Sequence, residues 1–265
     1  MKPVPIVDTH CHISVNWYEP VETLAAVMEH SGVSKAVLVQ MFGELDNRYL
    51  LKCARTDPTR FAAVVLVDPK ADLATGILKT LARRGARGVR LRATDRSQAS
   101  DPLAIWKAAR DLSMIVSCNG TSSEFSSAPF QRLLDQVPDL VVVLEHLAST
   151  STPPRSRREV ETRVASLKLN GPRPNVFIKL PGLSELLPRQ EVRSSRLSPH
   201  ALNFLRIAIE AYGPARMMWG SDFPIVCGRE GYLNSRLLLR SALERVTKEG
   251  SAIFGGVANE LFFNS

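Results

Sequence analysis

Short apolar runs rich in β-branched residues alternate with longer amphipathic stretches along the whole chain. The runs occupy residues 6–13, 35–41, 61–68, 88–92, 114–120, 140–147, 175–182 and 217–224. They are nearly continuous in apolar character, the pattern of strands buried on both faces of a parallel sheet. Between and after them, residues 21–30, 46–55, 73–84, 102–112, 130–137, 160–169, 200–212 and 233–246 carry helical periodicity. Gly32, Gly85 and the pair Gly213-Pro214 stand where helices would stop. Eight strands and eight helices in strict alternation fit a (β/α)8 TIM barrel of the α/β class. A doubly wound sheet would alternate in the same way.

The 265 residues allow one large domain or two small ones. Because no Pro/Gly/Ser-rich linker divides them, residues 1–265 are expected to form a single barrel with short C-terminal helical additions. Residues 148–155 and 181–199 read as long loops after the sixth and seventh strands, and loops after barrel strands build the catalytic mouth. With 45% hydrophobic and 23% charged residues, the composition excludes disorder, collagen and coiled coil. No apolar run reaches the roughly 18 residues of a membrane span. The first residues lack the apolar region and cleavage site of a signal peptide, and Cys11, Cys53, Cys118 and Cys227 form no CxxC motif. A reducing, cytoplasmic setting is expected. The net charge of +8 and pI near 9.6 raise nucleic acid as a partner. The densest basic run, residues 155–163, is interrupted by Glu159 and Glu161, so it reads as a solvated helix face and nucleic acid is not expected.

The first strand reads Asp8-Thr9-His10-Cys11-His12. A side-chain period of two puts Asp8, His10 and His12 on one face, where two imidazoles can chelate or hydrogen-bond. Cys11 then points away and packs. His146 ends the sixth strand and Asp222 ends the eighth, so a barrel would converge His10, His12, His146 and Asp222 at one mouth. Arg90 and Arg92 share a face of the fourth strand, suited to clamping a substrate carboxylate or to an internal ion pair. Gln40, ending the second strand, is a candidate lining residue, and Lys179 on the seventh is expected to be structural. His30 and His200 fall on helical stretches and read as surface or capping residues. Ser184 lacks the closing glycine of a nucleophile elbow.

The segments VDTHCHI, VLEHLA and MMWGSDFP resemble the signatures of the amidohydrolase-related (amidohydrolase 2) barrels. The resemblance is strongest to the lactonase-like branch that includes 2-pyrone-4,6-dicarboxylate lactonase and sugar-lactone hydrolases, and it runs from about Ile6 to near Phe263. It implies hydrolysis of a small lactone by water that Asp222 activates. His10, His12 and His146 would polarise the carbonyl, while Arg90 and Arg92 orient an anionic substrate. Metal-dependent members usually present another histidine, or a lysine, at the end of the fifth strand, where this chain has Ser117-Cys118-Asn119. Pro181 also stands where the family more often has a small polar residue. The expectation is therefore a site that needs no tightly bound metal. The alternative is one zinc ion on His10, His12 and Asp222, with His146 or Cys118. A zinc-dependent amidohydrolase or non-oxidative decarboxylase, and a non-catalytic small-molecule binder, are the competing readings.

Overall fold

Strand formation follows the apolar runs closely. In the computed structural model, which describes residues 4–150, 154–181 and 199–264, eight strands occupy Val7–Cys11 (β1), Lys35–Val39 (β2), Phe61–Leu66 (β3), Ala86–Arg92 (β4), Ile115–Asn119 (β5), Val142–Leu144 (β6), Val176–Leu180 (β7) and Met217–Trp219 (β8). They form one parallel sheet in the order β1 to β8. A parallel bridge between Cys11 and Phe223 brings its last edge back to its first. The architecture is a (β/α)8 TIM barrel with C-terminal helices, which resolves the choice left open by the alternation.

Alternation along each strand sorts the side chains into two cores. Val37, Val39, Val64, Val143 and Met218 fill the barrel, while Ala36, Leu38, Val65, Leu91 and Leu144 face the helices. Val257, Ala258 and Phe262 of the C-terminal helix Val257–Phe263 join the inner core with Val7. Apolar side chains thus occupy the end where the strands start, and polar ones collect where the strands end. Gly32, Gly85 and Gly213 adopt left-handed φ after the helices they terminate, as their positions foretold.

Two departures matter for the site. The register of β1 against β2 shifts between Asp8 and Cys11, which breaks the expected parity of the first strand. The sixth strand is also shorter than its apolar run. After Glu145 the chain turns through His146, Leu147, Ala148 and Ser149, all with φ between 50° and 61°. This single left-handed turn opposes L-residue sterics at roughly 1–2 kcal/mol per residue. The Ser122 hydroxyl donates to the Ala148 carbonyl, and the Thr150 hydroxyl to that of Leu147.

No helix among the described residues is long and apolar enough to cross a membrane. The basic run forms the start of the helix Arg157–Asn170, capped by Ser156. There Arg157 pairs with Glu161 in solvent, whereas Arg163 is buried against Glu159 and the Thr150 carbonyl. Residues 182–198 of the expected loop over 181–199 and the side chain of His200 lie outside the described residues, as do residues 151–153.

Candidate active site

The motif Gly220-Ser221-Asp222 fits the end of β8 against β1 through backbone contacts. The Asp222 amide donates to the His10 carbonyl at 2.9 Å, and the His12 amide to the Phe223 carbonyl at 2.8 Å. A Cβ on Gly220 would lie 2.6 Å from that of His10, so only glycine allows this approach. Asp8 completes the junction: its Oδ1 accepts the Ser221 amide at 2.8 Å and the His10 amide at 3.1 Å. Because of the register shift, Asp8 braces the two strand ends instead of standing beside the imidazoles as the strand parity suggested. Burial pushes its carboxyl above the usual range.

His10, His12, His146 and Asp222 come together at the mouth, as expected. The His10 ring lies 4.8 Å from each of the other two, edge to face in both cases. His12 Nε2 is 3.6 Å and His10 Nε2 is 4.0 Å from Asp222 Oδ1. The His12 Nδ1–H donates to the Val39 carbonyl at 2.7 Å, which fixes that ring and turns Nε2 towards the carboxylate. Tyr18 stacks on His12, and Arg229 reaches Asp222 Oδ2 at 3.3 Å. Burial opposes the charge of Asp222, but the neighbouring His146 and Arg229 outweigh it and hold the carboxyl below its usual range. Burial, together with Lys179 and the other imidazoles, keeps His10 well below the ordinary histidine value. His146 is the open member of the set, with 23% of its side chain exposed.

Beneath this cluster lies a charged network among the inner residues of β4 to β7. Glu145 accepts from Arg90 Nε at 3.0 Å and Nη2 at 2.8 Å, from the Ser117 hydroxyl at 2.7 Å and from Asn119 at 3.2 Å. Lys179 donates to the Ser117 hydroxyl at 2.8 Å and meets His10 Nδ1 at 3.2 Å. Burial works against the charge of Glu145, yet Arg90 and Lys179 hold its carboxyl far below the usual range. Burial lowers Lys179 to about 8.

Arg90 therefore does not meet the open mouth as a substrate clamp would. Its guanidinium is committed to Glu145 and to the Gln40 carbonyl at 3.0 Å, because a buried cation needs a buried anion. Gln40 is turned into its own loop, where it receives the Met41 amide and donates to the Asp46 carbonyl. Arg92 is exposed, with its guanidinium 3.9 Å from the Phe42 ring centre, and Arg90 lies 4.2 Å from the same ring. Cys118 belongs to the outer core and so faces away from the histidines, which removes it as a ligand. Glu145, Ser117 and Asn119 escaped the reading of the residues, although the strand period puts Ser117 and Asn119 on the inner face. Nothing in the sequence singled out Tyr18, Phe42 or Arg229.

His10, His146 and Asp222 offer ligand atoms within 4.8 Å of one another, and their types suit zinc. A metal-bound imidazole ordinarily donates its other N–H to an acceptor. His12 has such an acceptor in Val39, but the nitrogen behind His10 faces the Lys179 amine, itself a donor to Ser117. In this respect the residues do not fit an ion held tightly by His10.

A family profile described as Amidohydrolase matches residues 7–262. The L-fucono-1,5-lactonase of Burkholderia ambifaria is 28% identical over 241 residues, covering 83% of this chain and 80% of that protein. Among solved structures, a Pseudomonas putida protein assigned as a 2-pyrone-4,6-dicarboxylic acid hydrolase superposes with a TM-score of 0.77 at 24% identity, covering 98% of this chain and 97% of that one. A Burkholderia multivorans amidohydrolase solved with bound zinc also gives 0.77, at 20% identity with 97% and 98% covered. The profile spans nearly all of the barrel and includes every member of the histidine–aspartate cluster; the chain belongs to the amidohydrolase family and is a hydrolase of that family.

Proposed function

We propose that the protein opens a small, anionic lactone with water activated by Asp222, and that it does so without a tightly bound metal. The observation that carries this reading is the convergence of one ionised carboxylate with three imidazoles at the open end of the barrel. The similarity to a sugar lactonase and to an assigned pyrone dicarboxylate hydrolase supports the lactone as the substrate class.

Asp222 accepts a proton from water as the oxygen attacks the ring carbonyl carbon, and His10 and His146 stabilise the developing oxyanion. The ring carbon–oxygen bond then breaks, and the protonated Asp222 returns its proton to the departing ring oxygen. The product is an open-chain hydroxy acid. A carboxyl held below its usual range is a weak base but a ready acid. Attack therefore depends heavily on the oxyanion contacts, and ring opening is assisted. Arg92, exposed over Phe42, would orient a substrate carboxylate, while Arg90 and Gln40 would shape the wall behind it.

A panel of sugar lactones and dicarboxylate lactones, assayed on one preparation with its metal content measured, tests this reading. Hydrolysis of at least one lactone at sub-stoichiometric metal, unaffected by a chelator, is expected. Activity that tracks stoichiometric zinc would overturn the metal-free part. Inactivity across the panel, with turnover of amide or carboxylated aromatic substrates, would favour an amidohydrolase or decarboxylase.

A further inference from the structure

We propose that Lys179 is a positioning residue that fixes His10 as the Nε2–H tautomer, so that the two histidines of the first strand present opposite hydrogen-bonding characters to the site. The inference about turnover rests on the proposed hydrolysis; the inference about the tautomer does not.

The chain of hydrogen bonds dictates the outcome. The Ser117 hydroxyl has one hydrogen, and it goes to Glu145 Oε1 at 2.7 Å. Towards Lys179, 2.8 Å away, that hydroxyl is therefore an acceptor. The Lys179 side chain is 2% exposed and lies one hydroxyl away from the Glu145 carboxylate, an arrangement that favours an ammonium. An ammonium has only donors. Its second contact, His10 Nδ1 at 3.2 Å, must then be the acceptor, and a neutral imidazole that accepts at Nδ1 carries its hydrogen on Nε2.

That Nε2–H is buried, has no hydrogen-bond partner among the described residues, and stands 4.0 Å from Asp222 Oδ1. An unpaired buried donor aimed at the catalytic carboxylate is placed to meet a carbonyl oxygen or a developing oxyanion. His12 is arranged the other way. Its Nδ1–H is spent on the Val39 carbonyl, so its Nε2 offers a lone pair to the attacking water. One strand thus supplies both an electrophilic contact and a water-orienting contact. The same Lys179 contact denies a metal the Nε2 lone pair of His10, where otherwise the donor set is suitable.

The test is histidine tautomer assignment by long-range proton–nitrogen correlation spectra of protein labelled with nitrogen-15 histidine, with a His10→Gln sample to assign the signals. In the wild type, His10 should show a protonated Nε2 and an unprotonated Nδ1, and His12 the reverse. Lys179→Met keeps the length of the side chain and removes the donor. It should release His10 from that tautomer, lower kcat roughly 100-fold with little change in KM, and tighten zinc chloride binding by calorimetry at least about 10-fold. A protonated Nδ1 on His10 in the wild type overturns the proposal, as does an unchanged tautomer in a folded Lys179→Met protein. The wild-type spectrum decides even if the variant fails to fold, and it decides independently of whether any lactone is turned over.

Discussion

Replacing Glu145 by Gln should destabilise the barrel far more than the loss of one charge on a surface would. The carboxylate is 1% exposed and receives four hydrogen bonds, two of them from Arg90. A glutamine keeps one acceptor oxygen and turns an amide NH2 towards donors, leaving the Arg90 guanidinium, 7% exposed, without a counter-charge. Removing one partner of a buried ion pair costs about 3–5 kcal/mol. Against a total stability of about 5–15 kcal/mol that is a large share. For a domain of this size it corresponds to a fall in Tm of roughly 6–20 °C. Urea titration followed by tryptophan fluorescence is a suitable assay, since Trp106 and Trp219 are fully buried. Adding Arg90→Met to Glu145→Gln should recover part of the loss, because it removes the stranded cation. The sign of the pH dependence follows from the lowered pKa. The stabilisation from Glu145 is complete above the unfolded value of about 4.3 and is lost only as the pH falls through the depressed folded value. The gap between wild type and variant should therefore stay constant from pH 7 to about 5 and narrow only in stronger acid. A gap below about 1 kcal/mol, the level of an exposed pair, or a double variant less stable than Glu145→Gln alone would refute this reasoning.

Two further outcomes follow from the junction of β1 and β8. Gly220→Ala places a methyl group where the His10 Cβ already sits, so overpacking should cost about 1–3 kcal/mol, and the displaced imidazole should lower turnover at least 10-fold, with lactone hydrolysis and thermal unfolding as the measurements. The carboxyl of Asp222 is held below its usual range, so the acid limb of kcat/KM should lie below the ordinary aspartate value of about 3.9, and a limb centred above that value would contradict its proposed role as the base.

Regular structure was legible because burial on both strand faces writes itself as unbroken apolar runs. The helix Val21–His30 has the limits its periodicity gives, and all eight strands fall within or across their runs. The run at 140–147 misleads because Glu145, His146 and Leu147 continue its composition but not its geometry. His146 to Ser149 contain neither glycine nor asparagine, the residues that normally announce a left-handed turn. His10, His12, His146 and Asp222 were visible as titratable residues at strand ends, a position that only a barrel brings to one place. Asp8 was misplaced because a register shift leaves no trace in composition. Arg90 was on the correct strand face, but its partner lies 55 residues away, and the choice between substrate and ion pair depends on which acid the closed barrel sets opposite it. The role of Lys179 is legible only once β5 and β7 both face β1 across the interior.

The central claim is that Asp222 is the base of a lactone-opening reaction. The measurement that tests it most directly is hydrolysis by Asp222→Asn, followed by proton release on whichever lactone the wild type turns over fastest, with folding checked by circular dichroism. Loss of the base should lower kcat roughly 10²–10⁴-fold while the spectrum and the Tm remain near those of the wild type. Turnover within about threefold of wild type in a folded Asp222→Asn protein, against that expected 10²–10⁴-fold loss, would contradict the account.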